Sequence, residues 1–175
     1  MNFPKANSFP QSTMRERSMG PNPLKLCEEL LDYADIPAGS VVLDLGSGAG
    51  LTSALMAREY GLIVYAADLW SDPSDNMRFF EECGLVNRQV IPLKSDATAL
   101  PFAHGFFDAV VCVDSYNYSL LSHSKMRAVS YARFRRRKSH THIHEHHSFS
   151  NCGQCLISRR GAKFKTAIAS ENMVM

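Results

Sequence analysis

Long apolar runs are missing from this chain. No window of its 175 residues holds the roughly 18 uninterrupted apolar residues a membrane helix needs, so a membrane-spanning protein is not expected. The N-terminal stretch MNFPKANSFPQSTMRERSM lacks both the charged start and the apolar middle of a secretory leader. Cysteine is sparse: five residues at scattered spacing do not make a disulfide scaffold, and the expected setting is the reduced cytoplasm. No Tyr-Lys or His pair of the kind that carries hydride-transfer or covalent catalysis can be recognised, so no catalytic residue is assigned.

Acidic residues are scarce in one part only. Residues 1–122 hold 8 Lys/Arg against 15 Asp/Glu, whereas residues 123–175 hold 11 against 2, which hides inside a net charge of +2. Six of the seven histidines also fall in the second part, His104 being the exception. The chain is thus two compositions joined near Leu120. With 45% hydrophobic residues, it has the length and content of one globular domain with a real core.

What is present is concentrated in Val41-Val42-Leu43-Asp44-Leu45-Gly46-Ser47-Gly48-Ala49-Gly50. Val41 to Leu45 reads as a buried parallel strand, the three alternating glycines as a tight turn, and Leu51 to Tyr60 as a helix. Such a strand–turn–helix unit turns backbone N–H groups and a helix N-terminus toward a ligand. The spacing of the last two glycines departs from the G-x-G-x-x-G of dinucleotide sites. A carboxylate two residues before the first glycine would repel a pyrophosphate and attract a ligand carrying an ammonium group.

This D-x-G-x-G-x-G stretch, Asp44 to Gly50, resembles the first motif of class I S-adenosylmethionine-dependent methyltransferases. The resemblance implies that Asp44, Leu45, Gly46, Ser47 and Gly48 surround the amino-acid end of S-adenosylmethionine. The next strand, Leu62 to Asp68, also ends in an acid. At a strand end beside the glycine turn, Asp68 is placed to accept both hydroxyls of a ribose, a role found in NAD proteins as well. Leu69 and Trp70 follow and can pack on an adenine face, although Trp70 can equally be core.

Downstream, Asp72-Pro73-Ser74-Asp75 reads as a turn and helix start, and Gly84 as the stop of a helix through Cys83. Gln89 to Lys94 is a short strand that Pro92 pushes toward a sheet edge. Ser95-Asp96-Ala97 is similar to the family's third motif, which implies an acid accepting from the adenine amino group and a backbone N–H meeting the ring. Leu100 to Asp114 resembles the L-P-F…F-D-x-V segment of small-molecule methyltransferases. Val110 to Val113 is the fourth strand; Asp108 precedes it and reads as structural. Asp114 at its end faces the cofactor's methionine end or the acceptor, and Ser115 and Tyr116 are candidates for the acceptor pocket. His104, in a loop away from that end, is left out of the chemistry.

Residues 1–20 read as a flexible arm. Leu24, Cys27, Leu30 and Leu31 then give a helical stripe that packs on the sheet or covers the cofactor. A domain over residues 21–121 carries the cofactor positions. Past Leu121 no apolar strand run can be read; Arg133 to Lys138, His140 to His147 and Cys152-Gly153-Gln154-Cys155 follow instead. For residues 122–175 three readings stand: a zinc site, a nucleic-acid-binding arm, or a stretch translated out of frame, tested by translating the other frames past codon 119.

The fold expected is an α/β Rossmann-like doubly wound parallel sheet in three layers, with its last strands missing or replaced. The function expected is methyl transfer from S-adenosylmethionine to a small-molecule acceptor, with no metal and no membrane. Nucleic acid enters only through the basic tail. An NAD-dependent oxidoreductase and a nucleic-acid or metal-binding protein acting through the tail are the alternatives.

Overall fold

The computed structural model describes residues 2–18, 22–103, 105–115 and 156–159. Strands β1 (Val41–Leu45), β2 (Ile63–Asp68), β3 (Val90–Lys94) and β4 (Ala109–Cys112) run parallel in the spatial order β3-β2-β1-β4. Strand β5 (Leu156–Arg159) pairs antiparallel with the far side of β4, from Ala109 opposite Arg159 to Cys112 opposite Leu156. The order reverses between β1 and β4, so their C-terminal ends open the crevice in which ligands bind in open α/β sheets.

Alternation along the strands divides the core. Val42, Val64, Val90 and Val111 face helices α2 (Pro23–Ala34), α3 (Leu51–Tyr60) and α4 (Pro73–Glu82). Leu43, Leu45, Val110 and Cys112 face the other side, where Phe107, Leu100 and Phe102 from the β3–β4 connection cover them. There Tyr65 meets Phe102, Phe106 and Phe107 edge-on, at centroid distances of 5.4, 5.3 and 5.6 Å, the arrangement aromatic quadrupoles favour. The helical layer expected on this second face falls outside the described residues.

The helices begin and end where the sequence places the signals. The Asn22 side chain accepts from Lys25 N at 3.1 Å, with Pro23 in the first turn of α2. The predicted stripe of Leu24, Cys27, Leu30 and Leu31 is buried. Asp72 caps α4 by accepting from Ser74 N at 2.7 Å. Pro92 sits opposite Ala66 in the outermost strand, the edge position expected for a residue that cannot donate to a ladder.

Two expectations are corrected. The N-terminal segment, read as a flexible arm, contains a 3-10 turn (Ala6–Ser8) and a helix, α1 (Gln11–Arg17), and buries Phe3, Ala6 and Phe9 against the helical layer. The cause is Glu28 of α2, only 1% exposed. A carboxylate removed from water needs donors, and it finds the backbone N–H groups of Lys5 (3.2 Å) and Ala6 (2.7 Å). Lys5 also pairs with Asp32 at 2.8 Å, and the Arg58 guanidinium covers the Phe9 ring at 3.8 Å. The second correction is β5, in a stretch where no strand could be read. Four residues are too few for alternation to register in sequence, whereas an open strand edge recruits backbone N–H and C=O groups irrespective of side-chain pattern. No helix among the described residues is long and apolar enough to cross a membrane.

Candidate functional site

The glycine turn closes the C-terminal end of β1. Gly46 N and Ser47 N both donate to Ala67 O (2.8 and 3.1 Å), tying the turn to β2. Gly46 has φ 76°, and a Cβ there would collide with Cβ and Oγ of Ser115. Two constraints therefore demand glycine at this position, one conformational and one steric. Gly50 N donates to Ser47 O at 3.0 Å, and Gly50 O accepts from Ala54 N at 2.9 Å, which starts α3.

Asp44 does not line the crevice. Strand alternation turns it to the helical face, 1% exposed, where Oδ2 accepts from Thr52 Oγ1 (2.7 Å) and Ser53 Oγ (2.6 Å) in the first turn of α3. Its Oδ1 is buried with no hydrogen-bond partner among the described residues. Burial raises its pKa from 3.8 to about 6; the two hydroxyls lower it against that trend and the Asp68 charge adds to it. The carboxyl thus stands directly behind the glycine turn as an incompletely satisfied acceptor.

Asp68 ends β2 on the other flank. Its Oδ2 accepts from Gly48 N (3.0 Å) and its Oδ1 from Trp70 N and Ser71 N (2.8 Å each). A carboxylate offers about four lone-pair sites, so three are engaged and Oδ2 keeps one for a ligand hydroxyl. Leu69 and Trp70 line the same crevice, and Trp70 is 71% exposed, so it belongs to the rim and not to the core.

Of the Ser95-Asp96-Ala97 triplet, Ser95 and Ala97 line the cavity. The Asp96 carboxylate instead accepts from Thr98 N (2.7 Å) and Thr98 Oγ1 (2.8 Å), which hold its pKa below the usual value. At the end of β4, Asp114 has φ 54°, a left-handed conformation costly for a residue other than glycine, and burial raises its carboxyl pKa. It lines the cavity beside Ser115. The Ser115 hydroxyl donates to Leu45 O at 2.8 Å, and Cys112 Sγ lies 2.9 Å from Ser115 Oγ. Asp108 is structural as expected: its Oδ2 accepts from Val41 N at 3.0 Å, at the opposite end of the sheet. Tyr116 and His104 lie outside the described residues, as do the basic, histidine and cysteine clusters of the tail.

Sequence reasoning missed Arg17. Its Nη1 donates to Ala49 O at 3.1 Å, its guanidinium lies 4.0 Å from the centre of the Phe79 ring, and it lines the cavity. In the polar stretch Ser12–Ser18 nothing marks it out from Arg15; only the folding of α1 back over the turn brings it there. The cavity enclosed by these groups has a volume of about 530 Å³. That lies within the ~300–1,000 Å³ typical of small-molecule and cofactor sites.

Comparison with known proteins gives the same answer. The sequence model of the methyltransferase-domain family matches residues 42–138. Methyltransferase GfsG of Streptomyces halstedii is 33% identical over 92 residues, which are 52% of this chain and 33% of that protein. The chain therefore spans about a third of the length of this curated relative. Among solved structures, the YcgJ protein of Bacillus subtilis superposes with a TM-score of 0.54 at 24% identity, over 61% of this chain and 44% of that one. A methyltransferase from Geobacter sulfurreducens, described as SAM-dependent and solved with S-adenosyl-L-homocysteine, gives 0.51 at 23% identity over 61% and 42%. At these identities the structures establish the shared Rossmann-like architecture. By its family match over more than half its residues, and by the strand order that frames its glycine turn, the chain belongs to the methyltransferase-domain family, class I.

Proposed function

We propose that the chain binds S-adenosylmethionine in this cavity and transfers its methyl group to a small-molecule acceptor. The observation that carries the reading is the cavity of about 530 Å³ in which the glycine turn, Gly46 to Gly48, meets Asp68 at the end of β2. Backbone groups of Gly46, Ser47 and Gly48, with Leu45 alongside, would hold the amino-acid end. Asp68 would take the ribose through the free site on Oδ2. Leu69, Ser95 and Ala97 would flank the adenine, with Asp96 shaping that loop through Thr98. The cofactor supplies an electrophilic sulfonium methyl. Asp114 and Ser115, with Tyr116 beyond them, would form the acceptor side.

In such a reaction the protein contributes positioning and exclusion of water more than acid–base chemistry. The site fits that demand. Apolar and glycine positions form most of its wall, and its charged groups are few: Arg17, Asp68 and Asp114. An NAD-dependent oxidoreductase is disfavoured by the glycine spacing and by the carboxyl behind the turn. Residues 21–121 carry the cofactor positions in this reading, with Arg17 of α1 added to them and β5 completing the edge of the sheet.

The test is incubation with methyl-deuterated S-adenosylmethionine and a panel of phenols, amines, thiols and carboxylic acids. Release of S-adenosylhomocysteine with label appearing in one class supports the reading. Binding of S-adenosylmethionine with no transfer to any class removes the small-molecule acceptor.

A further inference from the structure

Asn76 lies in α4, one helix away from the glycine turn, and no motif singles it out. It is 4% exposed, and its Nδ2 donates to Gly48 O at 2.9 Å. Gly48 N donates to Asp68 Oδ2 at 3.0 Å. Both polar groups of this glycine are therefore gripped by buried or nearly buried side chains from two different elements. Next door, Phe80 of the same helix packs so closely that a Cβ on Gly50 would come within 2.7 Å of its ring. Helix α4 thus forms the outer wall of the turn, and Asn76 is its polar contact with it.

A planar trans peptide points its C=O and its N–H in opposite directions. By fixing the Gly48 carbonyl toward α4, Asn76 fixes the N–H of Ala49 away from it. Ala49 lines the cavity, and its N–H has no acceptor among the described residues. A peptide beginning at glycine rotates at little cost when nothing holds it. We infer that Asn76 is a positioning residue that locks the Gly48–Ala49 peptide and so keeps the Ala49 N–H available to the amino-acid end of the ligand. It touches no ligand itself. The ligand part of this inference rests on the cofactor reading above; the locking of the turn does not.

The experiment has two arms on the full chain. In the first, amide hydrogen exchange of the ligand-free protein is followed by NMR at Gly48 and Gly50, whose amides are hydrogen-bonded. Asn76→Ala is expected to speed exchange there by about tenfold, the loss of one buried hydrogen bond, while β1 and α3 are unchanged. In the second, S-adenosylhomocysteine is compared with 5′-methylthioadenosine, which keeps the nucleoside and lacks the amino-acid end. The variant should bind the first about tenfold more weakly and the second as the parent does. Asn76→Ser, which keeps a small polar side chain without the reach, serves as the second variant should the alanine protein fail to fold. Equal weakening of both ligands, or unchanged exchange at Gly48 and Gly50, overturns the inference. A parent chain that binds neither ligand overturns the cofactor reading instead and leaves the exchange arm to decide the role of Asn76.

Discussion

Ser115 Oγ donates to the carbonyl of Leu45 across 2.8 Å, and in doing so places its own side chain in the space that a Cβ on Gly46 would need. The end of β4 is thereby bolted to the end of β1 at the point where the strand order reverses. The crevice exists because one position has no side chain and its neighbour fills the gap.

Gly46→Ala is accordingly expected to destabilise the protein by about 2–3 kcal/mol, from left-handed strain and overpacking together. It should also reduce S-adenosylhomocysteine affinity more than tenfold. In the double variant with Ser115→Gly, the collision is relieved but the φ 76° strain persists. Thermal melts should then recover part of the loss. Full stability in Gly46→Ala alone would show that Ser115 does not pack as described.

Asp44 gives a pH signature with a definite sign. Its folded pKa, about 6, lies above the unfolded value of 3.8, because burial disfavours the charged form. Between those two values the folded state keeps a proton that the unfolded state has lost. The contribution to stability is therefore fully present below pH 3.8, declines as pH rises, by on the order of 2–3 kcal/mol in all, and is lost once pH passes the folded value of about 6. Asp44→Asn should flatten the melting temperature between about pH 4 and pH 6.5. A ligand ammonium benefits from the ionised carboxylate, so S-adenosylhomocysteine affinity should rise over the same interval in the parent and not in the variant. Equal pH profiles for the two proteins would remove Asp44 from the site.

Glu28 carries the N-terminal segment. Truncation in Glu28→Ala leaves the Lys5 and Ala6 N–H groups without their acceptor, costing about 2 kcal/mol. The packing of Phe3 and Phe9 loosens with it. Trypsin should then cut after Lys5, Arg15 and Arg17 at least tenfold faster than in the parent, before any cleavage in α3. Equal rates would return residues 2–18 to the status of a loose arm.

These residues also show what the sequence exposes and what it hides. Asp44 to Gly50 is legible because a glycine at every second position has few uses besides a close backbone approach, and Pro92 names its own edge strand. Asp108 is legible from its place before a strand. Glu28 is not: on a helix of mixed charge it reads as one more solvated acid, and nothing local reports that a 3-10 turn 22 residues earlier will cover it. Phe3, Ala6 and Phe9 follow no helical or strand period, so the segment that holds Arg17 over the turn reads as an arm. The orientation of Asp44 and the turning of Asp96 onto Thr98 depend on side-chain geometry that a motif does not encode. The edge strand β5 depends on pairing with β4, which lies 44 residues upstream of it.

The central claim is that one cavity, with the glycine turn at its floor and Asp68 on its flank, recognises the nucleoside and amino-acid ends of S-adenosylmethionine. The most direct measurement is calorimetric titration of the purified chain with S-adenosylhomocysteine, with NAD as the control ligand and Asp68→Ala as the control protein. The account predicts micromolar binding of S-adenosylhomocysteine, a loss of about tenfold or more in Asp68→Ala, and no heat with NAD. A cooperatively melting protein that binds neither ligand, or binds NAD in preference, would contradict it.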